Sequence, residues 1–140
     1  MTTILADAKK RIMVCDSKAT CGDSWFPITK VYQIEDELVG FAGAASEGTR
    51  WLDWYANDQR GKMPSIENVS VMILSTHGVR LVEGSGRIVP IERGYHAIGS
   101  GGNAALGAFM AGADARKAVE IACRIDAGSG GDIHVHRMKA

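Results

Sequence analysis

The chain has 140 residues and a mass of 15.0 kDa, so we expect a single domain spanning residues 1–140. Its 16 basic and 16 acidic residues give a formal net charge of +0. That balance argues against nucleic-acid and polybasic membrane-surface binding, both of which usually need a basic excess. The sequence contains neither an apolar run long enough to span a bilayer nor a secretory signal pattern at its start. Three cysteines without a Cys-x-x-Cys pair favour a reducing compartment, so we expect a cytoplasmic protein.

The first half of the chain is predicted to form strands followed by one helix. Apolar runs bounded by turn residues predict strands at 3–6, 11–16, 30–34 and 37–43. Small and turn-forming residues predict a loop from Lys18 to Pro27. A helix is predicted from Ala45 to about Asn57, and Pro64 with its neighbours is predicted to form a loop.

The second half returns to strands and then adds two helices. Strands are predicted at 69–74, 79–82, 87–91, 95–98 and 132–138, and helices at 103–111 and 115–124. Asp114 is a suitable N-cap for the last helix. Because consecutive strands are joined by hairpin turns, we expect an α+β fold with mainly antiparallel sheets and helices packed outside them.

Six short motifs carry a resemblance to a known family. They are Met1-Thr2-Thr3-Ile4, Asp16-Ser17-Lys18-Ala19-Thr20, Lys30-Val31, Gly40-Phe41-Ala42-Gly43, Ala97-Ile98-Gly99-Ser100-Gly101-Gly102 and Asp126-Ala127-Gly128-Ser129-Gly130-Gly131. In this order and spacing, the chain resembles a proteasome β-type subunit or the bacterial peptidase HslV, both N-terminal-nucleophile hydrolases. The resemblance implies a four-layer αββα sandwich. The stretch before Val69 has room for one helix where the family usually has two, so we expect a reduced helical layer.

The resemblance also implies a threonine-type endopeptidase that cleaves unfolded polypeptides or peptides inside a ring. Thr2 would be the nucleophile after removal of Met1, with Asp16 and Lys30 as the charged pair beside it and the Gly43 N–H as oxyanion donor. Ser100, Asp126 and Ser129 would give polar support around the threonine amine. The implied substrate pocket contains Ala19, Thr20, Ile28, Tyr32, Phe41 and Ala45, which together predict a modest apolar preference.

Elementary chemistry gives this implied site a rationale. A threonine hydroxyl is a poor nucleophile and needs a base. A free α-amine has a pKa of about 7.7–8.0, so a useful fraction is an uncharged base at neutral pH. Removal of Met1 would put the hydroxyl and this amine on one residue. A nearby lysine held by a carboxylate would favour the reactive form.

The implied partners are copies of the same chain, in a hexameric or heptameric ring that could stack on a second ring. No cofactor, metal, nucleic acid or membrane partner is expected. The missing helix would lie on the side that faces a regulator, which argues against docking of an ATP-dependent unfoldase. Two other functions stay open: an inactive ring-forming scaffold that retains Met1, and a small-molecule amide hydrolase of the same superfamily.

Three further patterns in the sequence have simpler explanations than a ligand or catalytic site. Gly99 to Ala104 fits a G-x-G-x-x-A dinucleotide fingerprint, but the predicted hairpins around it do not form the βαβ unit that this motif requires. His134 and His136 lie on one face of the last predicted strand, and sequence spacing supplies no third metal ligand. Cys15 is predicted to pack in the core, since no histidine is near it in sequence.

Overall fold

A computed structural model describes residues 1–84 and 87–139. Its strands are β1 Ile4–Asp7, β2 Ile12–Cys15, β3 Lys18–Cys21, β4 Ser24–Pro27, β5 Val31–Ile34, β6 Glu37–Gly43, β7 Val69–Ser75, β8 Gly78–Glu83, β9 Arg87–Ile91, β10 Tyr95–Ile98 and β11 His134–Arg137. Its helices are α1 Ala45–Ala56, α2 Gly102–Met110 and α3 Ala115–Ile125. None of the described helices is both long and apolar enough to cross a membrane.

The strands form two main antiparallel sheets, which confirms the predicted α+β class. The first sheet has four strands in the order β10-β1-β2-β11, and the second has five in the order β5-β6-β7-β8-β9. The second sheet follows chain order, and only the connection from β6 to β7 contains a helix, α1, among the described residues. The first sheet instead gathers strands from the two ends of the chain, and β11 pairs with β2 so that His134 lies opposite Cys15.

Alternating side chains of the first sheet divide between two apolar cores. Ile4 and Met13 pack in one core with residues of the second sheet, including Leu74. Leu5 and Val14, which point to the opposite face, pack instead against α2 and α3. This period-two pattern explains why β1, apart from its last residue Asp7, and β2 are apolar: both faces of the sheet are covered.

Helix α1 covers the outer face of the second sheet. The fully buried ring of Trp51 packs in a third core with residues of β6 and β7, including Phe41. Tyr55 stacks on Trp51 at a ring-centroid distance of 4.8 Å. As expected from the sequence, a single helix lies between β6 and β7 in the described chain.

The prediction of a loop from Lys18 to Pro27 is wrong. These residues form the hairpin of β3 and β4, in which Lys18 pairs with Pro27 and Cys21 with Ser24. The hairpin carries no buried apolar face, and Trp25 and Phe26 are about half exposed. A strand that does not face a core lacks the alternation of apolar and polar residues by which strands are recognised in a sequence.

The core between the first sheet and its helices gives a stability prediction. Leu5→Ala should lower the free energy of unfolding by about 2–5 kcal/mol, because the fully buried side chain leaves a cavity. Ile125→Ala is the matched control, since Ile125 is 70% exposed at the end of α3, and its effect should stay within about 0.5 kcal/mol. Urea denaturation measures both. Equal losses in the two variants would contradict the proposed position of Leu5.

Candidate active site

A buried ion pair lies beneath the start of the chain. Lys30, only 1% exposed, precedes β5, and its Nζ donates a hydrogen bond to Asp16 Oδ1 at 2.9 Å. The same Nζ lies 3.1 Å from Thr2 Oγ1 and 2.7 Å from the Lys18 carbonyl oxygen. A buried ammonium ion needs such compensation, because removing a charge from water is costly.

The Asp16 carboxylate is held by backbone as well as by Lys30. Its Oδ1 accepts from the Thr3 N–H at 3.0 Å, and its Oδ2 accepts from the N–H groups of Lys18 and Gly130 at 3.3 and 3.0 Å. These donors come from the residue before β1, the first residue of β3 and the segment before β11. Asp16 therefore joins three separate segments around one buried negative charge.

A second polar chain runs from Thr2 towards the C-terminal third. The Thr2 N–H donates to Ser100 Oγ at 3.2 Å, and Ser100 Oγ donates to Asp126 Oδ2 at 2.6 Å. Ser129 Oγ also donates to Asp126 Oδ2 at 2.6 Å, so its single proton is used there. The 2.7 Å contact between Thr3 Oγ1 and Ser129 Oγ must then be donated by Thr3.

Opposing effects act on the pKa of Asp126. Partial burial acts to raise this pKa, whereas hydrogen bonds from the Ser100 and Ser129 hydroxyls and from the Gly128 N–H lower it, together with the positive charge at the chain terminus. The net result is a pKa below its ordinary value. Asp126 is therefore a stable carboxylate near neutral pH and an acceptor for both serine hydroxyls.

Met1, the residue before Thr2, is also hydrogen-bonded to Lys30. Lys30 Nζ donates to the Met1 carbonyl oxygen at 3.0 Å, and the Met1 side chain lies against the backbone of Gly128 while remaining 64% exposed. With Met1 attached, the Thr2 nitrogen is an amide, which cannot accept a proton as an amine does.

Thr2 lines a cleft of about 250 Å³, together with Lys30 and Gly43. Gly43 ends β6 with φ +122°, and a Cβ at this position would overlap the carbonyl oxygen of Asn68. Only glycine fits this combination of backbone conformation and close approach. The end of β6 therefore places a backbone segment without a side chain at the cleft.

The cleft contains five of the six residues expected to form the substrate pocket. These are Ala19, Thr20, Ile28, Phe41 and Ala45. The sixth residue, Tyr32, lines a separate cavity with Leu52 and Asp53 of α1. Its ring stacks behind Phe41 at a centroid distance of 6.3 Å, and its hydroxyl donates to the Thr29 carbonyl oxygen. Tyr32 therefore contacts a wall of the cleft from behind.

Thr3 is a residue of this network that the sequence analysis did not identify. Its N–H binds Asp16 and its hydroxyl binds Ser129, so it connects the two polar chains described above. Thr3 is a polar residue directly before β1, and it is fully buried. A threonine directly before a run of buried apolar residues could have pointed to this role.

The structure explains two of the three further patterns, the glycine-rich segment and Cys15. Gly99 to Ala104 joins the antiparallel strand β10 to α2, so it does not lie in the parallel βαβ unit that a dinucleotide fingerprint requires. Cys15 is completely buried, as predicted. Burial, together with the negative charge of Asp16, raises the pKa of Cys15 to about 12, which argues against a cysteine nucleophile.

Comparisons with known proteins relate this geometry to a family. No protein-family profile matches the chain. HslV proteins described as ATP-dependent protease subunits, from Lacticaseibacillus casei and Lacticaseibacillus paracasei, are each 29% identical to it over 90% of this chain and 93% of their own. The solved structure of eukaryotic HslV from Trypanosoma brucei is 26% identical, with a TM-score of 0.75 over 96% of this chain and 98% of that one. The resemblance to HslV-like N-terminal-nucleophile hydrolases is confirmed.

A more distant structural neighbour supports the fold alone. Thiobacillus denitrificans BPH, solved in complex with epoxomicin, matches with a TM-score of 0.75 at 18% identity. That alignment covers 99% of this chain and all of that one. The two proteins therefore share one arrangement of strands and helices over nearly the whole of the aligned chains.

The buried pair predicts a large stability effect. Lys30→Met should lower the free energy of unfolding by about 3–5 kcal/mol, because the Asp16 carboxylate would remain buried without its cation. The double variant Asp16→Asn/Lys30→Met should recover part of that loss. Urea denaturation measures these changes.

The exposed ion pair between Arg116 and Glu120 supplies the control, since its side chains are 57% and 36% exposed. Glu120→Gln should change the free energy of unfolding by no more than about 0.5 kcal/mol. If Lys30→Met were equally mild, the pair would be solvated rather than buried.

Proposed function

We propose that this protein is a threonine peptidase of the HslV type, with Thr2 as its nucleophile once Met1 has been removed. The observation that carries the proposal is the 3.1 Å contact between Thr2 Oγ1 and the buried Lys30 ammonium. The HslV relatives named above are proteases, and their similarity extends over nearly the whole chain. Together these facts favour peptide-bond hydrolysis over other chemistries.

Removal of Met1 would change the Thr2 nitrogen from an amide to an amine. The hydroxyl and its proton acceptor would then belong to the same residue, which is an efficient arrangement for general-base catalysis. Ser100 Oγ already lies 3.2 Å from this nitrogen, and Asp126 accepts the Ser100 proton. The serine oxygen can therefore accept a hydrogen bond from the amine and keep it oriented towards the cleft.

The reaction would proceed in two steps. The amine takes the Thr2 hydroxyl proton, directly or through one water, as Oγ1 attacks the substrate carbonyl carbon. The peptide C–N bond then breaks, the leaving amine takes the proton, and an ester to Thr2 remains. In the second step the Thr2 amine activates a water molecule, which hydrolyses the ester and restores the Thr2 hydroxyl.

Lys30 would stabilise the negative charge that develops near Thr2 Oγ1 during attack. A cation fixed in a buried site does this more effectively than one in water, because little reorganisation is needed. Asp16 holds the ammonium in place through its 2.9 Å hydrogen bond and is itself fixed by three backbone N–H groups. The proposed role of Asp16 is therefore to position Lys30.

The Gly43 N–H is the proposed donor to the oxyanion. The Phe41 N–H donates to the Lys30 carbonyl oxygen at 3.2 Å. Alternate N–H groups of a strand point to the same edge, so the Gly43 N–H faces the same side as that of Phe41. β5 begins only at Val31, and this edge of β6 opens beside the cleft.

The proposed substrate is an unfolded polypeptide or peptide. The side chain before the cleaved bond would enter the cleft formed by Ala19, Ile28, Phe41 and Ala45, with Thr20 at its side. Apart from Thr20 these groups are apolar, and the two alanines are small. A modest preference for apolar side chains follows from their character.

We also infer the finer architecture and the assembly. The three apolar cores lie between α2/α3 and the first sheet, between the sheets, and between the second sheet and α1. This order corresponds to a four-layer αββα sandwich with a reduced outer layer on the α1 side. The likeness to HslV favours a homo-oligomeric ring, and the relatives' description as ATP-dependent favours an ATPase partner, whereas the single helix α1 argues against the usual docking surface.

The proposed mechanism is tested by intact mass and by variants of Thr2. Purified protein should lack the mass of Met1, and an epoxyketone such as epoxomicin should add to each processed chain. Thr2→Ala should reduce cleavage of a fluorogenic peptide by at least about 10³-fold, as expected for loss of a nucleophile. Thr2→Ser should retain measurable cleavage, because it keeps a hydroxyl.

Thr76→Ala is the matched control for this experiment, since Thr76 lies exposed in the turn between β7 and β8. It should leave cleavage unchanged. Full activity of Thr2→Ala would exclude the mechanism. Retention of Met1 on protein from the native host would favour the inactive scaffold, for which the hydrogen bond from Lys30 to the Met1 carbonyl offers a structural basis. Turnover of small amides without peptide cleavage would favour the amide hydrolase.

The proposed assembly gives a separate prediction. Sedimentation or native mass spectrometry should show a particle of six or seven chains of 15.0 kDa, or twice that number if two rings stack. The Thr2→Ala variant should assemble in the same way, because Thr2 is buried within its own subunit. A monomer at micromolar concentration would contradict the ring.

A further inference from the structure

The edge of the four-stranded sheet brings a cysteine and two histidines to one face. β11 pairs with β2 so that His134 lies opposite Cys15 and His136 opposite Met13. Residues directly opposite each other in an antiparallel pair place their side chains on the same face. Since Cys15 and Met13 belong to the core between the sheets, His134 and His136 face that side as well, whereas Val135 packs towards α2 and α3.

The three side chains are close enough to share an ion. One ligand atom from each of Cys15, His134 and His136 lies within 4.8 Å of the others. Bonds of about 2.0–2.3 Å to a tetrahedral zinc ion place its ligands about 3.5 Å apart. To bind zinc, the three ligand atoms would therefore have to approach one another by at most about 1.3 Å.

His136 also shows an unsatisfied polar atom. Its Nε2 is buried and has no hydrogen-bond partner among the described residues. A buried ring nitrogen without a partner is unfavourable, because it has lost water and gained nothing in return. A bound cation is one way to satisfy it, and the neighbouring thiol and imidazole supply the other ligands.

We propose that Cys15, His134 and His136 bind one divalent transition metal ion of the zinc class. A thiolate with two imidazoles is a donor set that suits Zn²⁺ and disfavours Ca²⁺ or Mg²⁺, which prefer oxygen. On binding, the Cys15 thiol would release its proton to solvent and both imidazoles would bind in the neutral form. Three protein ligands leave a fourth position for water.

The position of the site indicates its role. Cys15 directly precedes Asp16, and β11 directly follows the segment that carries Ser129 and Gly130, both of which contact the Thr2–Asp16 network. An ion joining β2 to the edge strand β11 would hold the end of the chain against the sheet. The histidines are half-buried, so the ion could enter from the sheet edge. None of the peptidase steps proposed above uses it.

Spacing along the sequence does not reveal the third ligand, because Cys15 and the histidines lie near opposite ends of the chain. Only the pairing of β2 with β11 brings them together. The expectation that no metal binds therefore rested on spacing along the sequence, which carries no information about this cross-strand contact.

The test is a metal titration of the full chain, expressed without a polyhistidine tag and stripped with a chelator. Zn²⁺ should bind with a stoichiometry of one per chain by calorimetry. His134→Gln and His136→Gln should each weaken binding by at least about 10-fold, since even the loss of groups behind metal ligands has effects of that size. His96→Gln is the matched control: His96 is a half-buried histidine on β10, at the other edge of the same sheet, and should leave affinity unchanged.

Co²⁺ reports directly on the cysteine. The wild-type chain should show a thiolate-to-cobalt charge-transfer band, which Cys15→Ser should abolish and Cys123→Ser should retain, since Cys123 is the other cysteine that is not fully exposed. The half-buried histidine variants keep the proposal testable if Cys15→Ser does not fold. Absence of stoichiometric Zn²⁺ binding, unchanged affinity in both histidine variants, or a cobalt spectrum without a thiolate band would each overturn the proposal. Because these readouts do not involve peptide cleavage, their outcome is independent of the proposed peptidase.

Discussion

The buried Lys30–Asp16 pair is the interaction on which the arrangement around Thr2 depends. Lys30 lies directly before β5 and hydrogen-bonds to Thr2 and Asp16. Asp16 in turn accepts hydrogen bonds from the backbone N–H groups of three segments. Neither charge is exposed to solvent, so each is stable only in the presence of the other. This mutual dependence fixes the distance between the Thr2 hydroxyl and the ammonium, which is the distance that the proposed chemistry uses. Structural stability and the proposed activity therefore depend on the same contact.

Much of the fold could be predicted from local patterns. β6, β9 and β10 have the predicted limits, and α1 ends within one residue of its predicted end, because apolar periodicity and turn residues mark these elements clearly. Asp114 caps α3 as expected, with its side chain accepting from the Lys117 N–H. The hairpin of β3 and β4 could not be predicted in this way, since its side chains face the cleft and solvent rather than a core. Its strands are held by backbone pairing, which leaves little trace in composition.

The candidate site was predictable to a different extent. The six motifs indicated most of the residues that gather around Thr2, because glycine-rich turns and isolated charges stand out against apolar strands. Contacts created by the fold itself were not visible: Thr3 bridging two polar chains, Tyr32 lying behind Phe41, and Cys15 meeting the histidines of β11. Each depends on which face of a strand meets which neighbour. From a single sequence one can predict which residues of a strand share a face, but not which strand will pair with it.

The hydrogen bonds around the first residues have a consequence for the order of events during synthesis. Thr2 binds a serine 98 positions later in the chain, and Thr3 binds one 126 positions later. The hydrogen bonds of Thr2 and Thr3 therefore cannot all form until Ser129 has left the ribosome. Through most of synthesis these two residues lack their distant partners, so the polar network around Thr2 is completed late in folding.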